Sequence, residues 1–590
     1  MASEDEGSIR VYKCRLKSIF QPTIWTHVQP SIKDAVERVS KLAPEFSRFL
    51  QLHIQLSHLS QTNVTLNKKL MENIFMSLTT KNQNVQPRCW SDDLRNTYDM
   101  YMSIRSRNQP FVSRQGLIQI LKFFFYGYLV NIQVYHENLP YNYLKKVVDS
   151  LVTQIYRNNQ LPKGSLPRIK LHQFWQLQDI FEIDLGSNTL TTLKRLQEMV
   201  IQLEETFGND IRLPKIALVP HFNFSRKFIR LDQKALLELF FVGDTPMAMK
   251  GRELVKENKA WSYLLRSKVI SRKFNDSIVT DGYQVSVNAY KGEKKVKKQR
   301  LPKVDTEEEK QQRKEEASQR YKETAKERRS QKKLEFAASR DVVQVPHDIN
   351  NFSFIDAGKD TFLQMFNLTR EQILEYMNLS DQEKNAWAIH EQLRPRSVSH
   401  FTSIQGASYH HDCCFLLKYK RAVEWGTSSC VTIILQNMLV SLKTSLIQDT
   451  LLNIIIATEW LDEIMNEKLK ERYAKLRFYV DTRKQVWWDS IVEKFRDTIV
   501  CLGNATNFGK AKGHRPTPIK FLIRFLRKKN IRLFLIDEHR TSKDCSSCGN
   551  ELEATRTFRT KCCTTCKYQW NRDKNACINM FKRALVLLNI

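Results

Sequence analysis

"IDEHRTSKDCSSCGN" occupies residues 536–550, and "CCTTCKYQWNRDKNA" follows at 562–576. Cys545 and Cys548 stand two residues apart. Cys563 and Cys566 repeat that spacing after 14 intervening residues. Two Cys-x-x-Cys pairs suit tetrahedral coordination by four thiolates, a soft donor set that fills the shell of a structural zinc ion. Iron accepts the same donors. Cys562 competes with Cys563, although only Cys563 keeps the two-residue gap to Cys566. The pairs lie between an acidic strand end and "NRD". They either form a module of their own or interrupt another domain.

The flanking segments favour an interruption. "NFSFIDAG" (351–358), "DTIVCLG" (497–503) and "IRLFLIDE" (531–538) read as strands, the last two as buried ones. "PIKFLIRFLRKK" (518–529) and "RDKNACINMFKRALVLL" (572–588) read as helices, and much of 432–476 is helical too. Strands alternating with helices predict an α/β domain with a helical insertion. Asp356 and Glu538 end strands, and Asp573 starts a helix. Each alone is an ordinary turn or cap residue. Ligands of open α/β sheets sit at the carboxyl ends of strands. There the three acids together would hold two magnesium ions for phosphodiester hydrolysis. Asp537 rivals Glu538, and period-two alternation sends the two to opposite sides.

The 590-residue chain is too long for one hydrophobic core, so several domains are expected. Lys plus Arg number 94 and Asp plus Glu 63, a net charge of +31 spread over the whole length. That balance points to nucleic acid rather than a membrane surface. The N-terminus carries no secretory signal, and no apolar run of about 18 residues predicts a membrane span. Five of the 12 cysteines fall between Cys545 and Cys566, which fits a reducing compartment and one metal site. No feature calls for an obligate protein partner.

Residues 1–22 hold the first strand of a small β-barrel, "IRVYKCRL", and 23–208 form a mostly helical block. Residues 209–290 supply the rest of the barrel: "DIRLPKIALVPHFNFSRKFIRLD" (210–232) and "DGYQVSVNAYKG" (281–292) read as its strands. Residues 291–345 are a charged linker or helix, and "KKVKKQR" within it suits nuclear import or phosphate contact. The α/β domain takes 346–540 and 571–590, and the cysteine module takes 541–570. Phe124, Phe125 and Tyr126 suit a helix core better than base stacking. His410, His411, Asp412, Cys413 and Cys414 form a weak second metal candidate.

"IDEHRTSKDCSSCG", then "CTTC", then "WNRDKNACINM" resembles the C-terminal signature of transposon-encoded RNA-guided nucleases. Bacterial members are the TnpB proteins and eukaryotic members are called Fanzor; both are related to type V CRISPR effectors. The resemblance covers roughly 346–590. It implies an RNase H-like (RuvC-like) nuclease domain into which a zinc-binding, target-nucleic-acid module is inserted. It implies magnesium on Asp356, Glu538 and Asp573, a guide RNA, double-stranded target DNA and its displaced single strand as partners, and a short motif flanking the target. Where the bacterial branch carries its middle glutamate, this chain has Gly503 and Asn504. Glu538, just before the zinc module, matches the relocated acid of the eukaryotic branch and so favours Fanzor, with nuclear localisation. Lys510, Lys512, His514 and Arg515, in a glycine-containing loop, are candidate backbone contacts, as are Arg540 and Lys543. A non-cleaving RNA-guided DNA-binding protein and a DNA-joining transposase are the alternatives.

Overall fold

In the computed structural model the described residues are 9–60, 62, 64–79, 90–104, 113–157, 166–185, 190–207, 217–243, 246–257, 259–270, 274–290, 343–358, 361–429, 431, 447–504, 518–555, 557 and 559–589. The chain divides into two compact units. One comprises Met1–Lys297 and Arg421–Leu476, the other Lys298–Lys420 and Arg477–Ile590.

The first unit is built on the 38-residue helix Pro22–Leu59. Proline suits a first helical position, where its missing N–H leaves no bond unmade. Val28, Ile32, Val36, Val39, Leu42, Phe46 and Leu50 recur every three or four residues and are all buried. Of the aromatic run at 124–126, Phe125 stacks on Phe46 with ring centroids 3.8 Å apart, Phe124 stacks on Phe222, and the Tyr126 hydroxyl donates to Glu72. Polar residues of the same helix are buried as well. Arg48 donates to Asn453 (3.4 Å) and Gln51 to Thr450 (3.2 Å), both on the helix Ile447–Glu459. A polar seam thus joins the late segment to the first helix.

Strands β1 (Ile9–Arg15), β2 (Ile229–Leu231), β3 (Phe274–Thr280) and β4 (Gln284–Tyr290) form an antiparallel sheet in the order β1-β4-β3-β2. Among the described residues this sheet is open, with β1 and β2 at its edges, where a small barrel was expected. Within the stretch read as strand at 210–232, only Ile229–Leu231 pairs among the described residues. Strand β3 has no clear alternation because Asp276 takes a positive φ of 42° and the register shifts between Phe274 and Ile278. Most of the charged segment, 291–342, lies outside the described residues.

In the second unit, β5 (Val343–Gln344) pairs with the final strand, Leu588–Asn589. Strands β6 (Asn351–Asp356), β7 (Thr361–Thr369), β8 (Phe401–Gln405), β9 (Thr498–Gly503) and β10 (Leu533–Ile536) form a mixed sheet ordered β10-β9-β6-β7-β8. β6, β9 and β10 run parallel, and β7 and β8 are antiparallel neighbours. Both faces are covered. Ile355, Val500, Leu502 and Leu535 pack with Trp488, Leu522 and Phe525. Phe352, Phe354, Ile499, Cys501 and Ile536 pack with Met580 and Phe581 of the helix Arg572–Leu585. The expected multidomain α/β class, rich in helices, is what the chain adopts. Among the described residues no helix is long and apolar enough to cross a membrane.

Phe366 is fully buried and its ring meets Phe354, Trp387, Phe401 and Phe581. Phe366→Ala is expected to destabilise this unit by about 3–5 kcal/mol. Exposed Leu416→Ala should cost less than about 0.5 kcal/mol. Urea unfolding followed by tryptophan fluorescence distinguishes the two.

Candidate acidic site and four-cysteine centre

The helix-facing side of the second unit's sheet ends in a line of special residues. On β6, Phe352 and Phe354 lead to Asp356. On β9, Ile499 and Cys501 lead to Gly503. On β10, Ile536 faces the helix, and the same alternation carries on to Glu538 just past the strand. A Cβ at Gly503 would lie 1.6 Å from Glu538 Oε1 and 2.3 Å from its Cδ. The Glu538 carboxylate therefore fills the space a side chain at 503 would need. Asp537 turns away: its Oδ1 accepts the His539 N–H (3.0 Å), and its carbonyl accepts from Arg583 (2.8 Å). The choice between the two acids is thus made by the pleat.

Asp573 enters from the opposite side, in the first turn of the helix Arg572–Leu585. Asn571 caps that helix, its side chain accepting from Asp573 and Lys574 N–H, both at 3.1 Å. Cys577 lies one turn further on. Burial pushes its thiol well up, and the charges on Asp356, Asp573 and Glu538 push it further. The three acids therefore surround one turn of this helix. Burial, with the charge on Asp573, pushes the Asp356 carboxyl up to about 7, against the opposing pull of Arg572. Arg572 Nε is 3.3 Å from Asp573 Oδ1. Arg559 Nη1 is 3.7 Å from Asp573 Oδ2 and donates to Thr361 Oγ1 at 2.9 Å. Sequence reading singled out none of Arg559, Arg572 and Cys577. Arg572 and Cys577 had a signal in their one- and four-residue spacing from Asp573, whereas Arg559 depends on a fold that sequence spacing does not reveal. One buried and two half-buried carboxylates, all oxygen donors, suit a hard divalent cation such as magnesium.

The four-cysteine centre is tighter. Among the described residues, Cys545, Cys548, Cys563 and Cys566 are the one group whose ligand atoms all lie within 4.8 Å of one another, so at least one pair of the acids is farther apart. Cys545 and Cys566 sulfurs are 3.6 Å apart, and those of Cys548 and Cys563 are 3.4 Å apart. A tetrahedron with zinc–sulfur bonds of about 2.3 Å has edges of about 3.8 Å, so the donors fit such an ion. The group takes Cys563 rather than Cys562. Each pair sits in a tight turn. The Gly549 N–H donates to the Cys545 carbonyl (2.9 Å), with Gly549 at φ 76°. The Cys563 N–H donates to the Tyr568 carbonyl (2.9 Å), and Lys567 takes the left-handed position.

Strands β11 (Leu552–Ala554), β12 (Thr560–Cys563) and β13 (Gln569–Asn571) form an antiparallel sheet around these turns. β13 runs straight into the helix that carries Asp573. Gln392 braces the junction, donating to the Gln569 carbonyl and accepting from the Asn571 N–H, both at 2.9 Å. From the helix, buried Asn575 accepts the Ser546 N–H (2.8 Å) and donates to the Asp544 carbonyl (2.8 Å). Lys582 Nζ donates to the Ser546 carbonyl at 2.6 Å. The cysteine module and the acid-bearing helix are thus one hydrogen-bonded body.

The remaining candidates fall elsewhere. Arg540 pairs with Asp544 and Glu551 inside the module, and Lys543 is exposed. Lys510, Lys512, His514 and Arg515 lie outside the described residues. His411 contacts Asp412 at 3.1 Å, without a convergent metal-ligand set there among the described residues.

Residues 519–580 match a family model described as Cas12f1-like, TNB domain. The match spans far less than half of the chain. No curated protein matches. Among solved structures, CasPhi-2 (Cas12j) bound to crRNA is 12% identical, with 57% of this chain and 59% of that one covered and a TM-score of 0.22. CasPhi-2 bound to crRNA and phosphorothioate DNA is 14% identical, with 57% and 56% covered and a TM-score of 0.23. The mini-RNA-guided endonuclease CRISPR-Cas_phi3 is 12% identical, with 98% and 93% covered and a TM-score of 0.30. The chain spans less than two thirds of CasPhi-2.

Asp356 gives a test of the metal-free site. The folded chain keeps its proton up to about 7, while the unfolded carboxyl releases it near 3.8. Folding therefore takes up a proton between those values, and stability falls as pH rises through that window, by on the order of 4 kcal/mol. Asp356→Asn should remove that decline. Urea midpoints at a series of pH values between 4 and 8 measure both.

Proposed function

We propose that the chain is a magnesium-dependent, RNA-guided DNA endonuclease of the Fanzor type, acting in the nucleus on double-stranded DNA beside a short flanking motif. The observation that carries this reading is the meeting of Asp356, Glu538 and Asp573 around one helical turn, with Glu538 filling the space in front of Gly503. In chain order β6, β7 and β8 are antiparallel neighbours and β9 and β10 then run parallel to β6, a pattern that supports a RuvC-like, RNase H-type assignment. The family match at 519–580 supports a target-binding module between Glu538 and Asp573. A zinc ion on Cys545, Cys548, Cys563 and Cys566 would hold that module closed.

Guide RNA pairing with the target strand would supply sequence recognition, and protein contacts would read the flanking motif. Asp356, Glu538 and Asp573 would hold magnesium, which when bound supplies charge stabilisation for attack by water on the phosphodiester. The chain's residues shape that step. Glu538 reaches the site from the neighbouring strand. Arg559, between Thr361 and Asp573, is placed to pair with a phosphate oxygen. The capped N-terminus beside Asp573 favours negative charge in its vicinity. Breaking the bond to the 3′ oxygen leaves a 5′ phosphate and a 3′ hydroxyl.

Asp356→Ala, Glu538→Ala and Asp573→Ala should each abolish guided cutting while largely sparing RNA binding. Restoring an acid in front of β9 with Gly503→Glu in the Glu538→Ala chain should recover part of the activity. Cleavage assays on chain co-purified with its RNA decide this. Persistent cutting in the alanine variants would sink the assignment. RNA binding without cutting by the wild type would favour a binding protein, and RNA-independent strand transfer would favour a transposase. Cys545→Ser should instead lower folded yield and reduce zinc, measured by atomic emission, from one per chain toward none.

A further inference from the structure

The first unit carries a concavity of about 230 Å³ that the cleavage reading leaves unused. Four segments wall it: the end of β1, the helix Pro22–Leu59, the turn between β3 and β4, and the start of the helix Glu471–Glu493. Trp25, Gln29 and Lys33 line it at four-residue intervals. One helix stripe thus offers an aromatic ring, an amide and an ammonium at steps of about 6 Å. Tyr283 offers a second ring from the turn.

The walls are held in place. Asp281 Oδ1 accepts from the N–H groups of Tyr283 (3.1 Å) and Gln284 (3.0 Å), and the Leu16 N–H donates to the Tyr283 carbonyl (2.8 Å). Gly282 supplies the left-handed φ of 85° that the turn requires. The Trp25 ring lies 5.7 Å from that of Phe20. Around the opening stand Arg15, Lys17, Lys33 and Lys475, with one carboxylate, Glu471, among them. Lys33 and Lys475 approach Glu471 at 3.4 Å and 3.2 Å.

This combination is more selective than a basic groove. A surface that tracks a phosphate backbone needs neither rings nor an acid, and the acid repels phosphate. Aromatic rings stack an unpaired base, and the amide reads its edge. The cations take a phosphate, and a carboxylate in such a site accepts from a ribose hydroxyl. We infer that this pocket holds one unstacked nucleotide of an RNA strand, its base against Trp25 and Tyr283, its phosphate on the lysines and its 2′-hydroxyl on Glu471. The inference deepens the guide-RNA half of the reading above. Its test involves no cleavage, so either can fail alone.

The full chain would be photo-crosslinked to a 5′-phosphorylated hexaribonucleotide carrying 4-thiouridine, and the attached peptide identified by mass spectrometry. Crosslinks are expected at the peptides bearing Trp25 or Tyr283, with RNA competing at least about tenfold better than DNA of the same sequence. Tyr283→Leu should reduce this crosslink about tenfold. Glu471→Gln should bring the RNA-to-DNA competition ratio close to one. The exposed Lys17→Gln, which leaves the walls intact, should weaken binding several-fold. Crosslinks confined to other peptides, or an unchanged competition ratio in Glu471→Gln chain that melts like wild type, would overturn the inference.

Discussion

Asp356 is a buried carboxyl beside the charge of Asp573, and keeping that acid at the end of β6 is the constraint on which the second unit's candidate site depends. Like charges in a poorly hydrated place raise each other's energy unless something offsets them. In the chain alone the offsets are visible: a retained proton on Asp356, two guanidiniums beside Asp573 and a capped helix N-terminus. Gly503 belongs to the same solution, because any side chain there would expel Glu538. An arrangement that costs stability in the metal-free chain is the kind expected where chemistry, not folding, sets the requirement.

The cysteine centre can be read in the same light. Its four sulfurs close two turns, and the sheet between them delivers the chain to Asn571, the residue that starts the acid-bearing helix. Asn575 and Lys582 then reach back from that helix to the first cysteine turn. Order in one part therefore sets the position of the other. The interruption seen in the sequence is a support for the site it interrupts.

Much of the second unit was legible because its signals are local. The cysteine spacing, the buried strand at 498–503 and the amphipathic helices carry their periodicity in short windows. Alternation put Glu538 and Asp537 on opposite sides, and the resemblance chose Glu538. Other features depend on what lies opposite in space. Arg559 reaches Asp573 only because a hairpin folds it there. The seam from Arg48 to Asn453 joins residues 405 positions apart, and nothing local marks those polar groups as buried. β3 was missed because a bulge at Asp276 breaks its alternation. Among the described residues the strands expected in a barrel form a four-stranded sheet in which β2 pairs over three residues.

The discontinuity of the first unit sets a timetable for synthesis. Its first stretch ends at Lys297, but the helix that meets Arg48 and Gln51 begins at Ile447. On the order of 150 residues must therefore leave the ribosome in between, taking roughly 8–30 s at 5–20 residues per second. For that interval Arg48 and Gln51 have only the partners of the first stretch, such as Phe224 and His221, and not those of the later helix. The completion of this core therefore waits on translation of the whole intervening stretch, a delay set by the order of the residues and not by their chemistry.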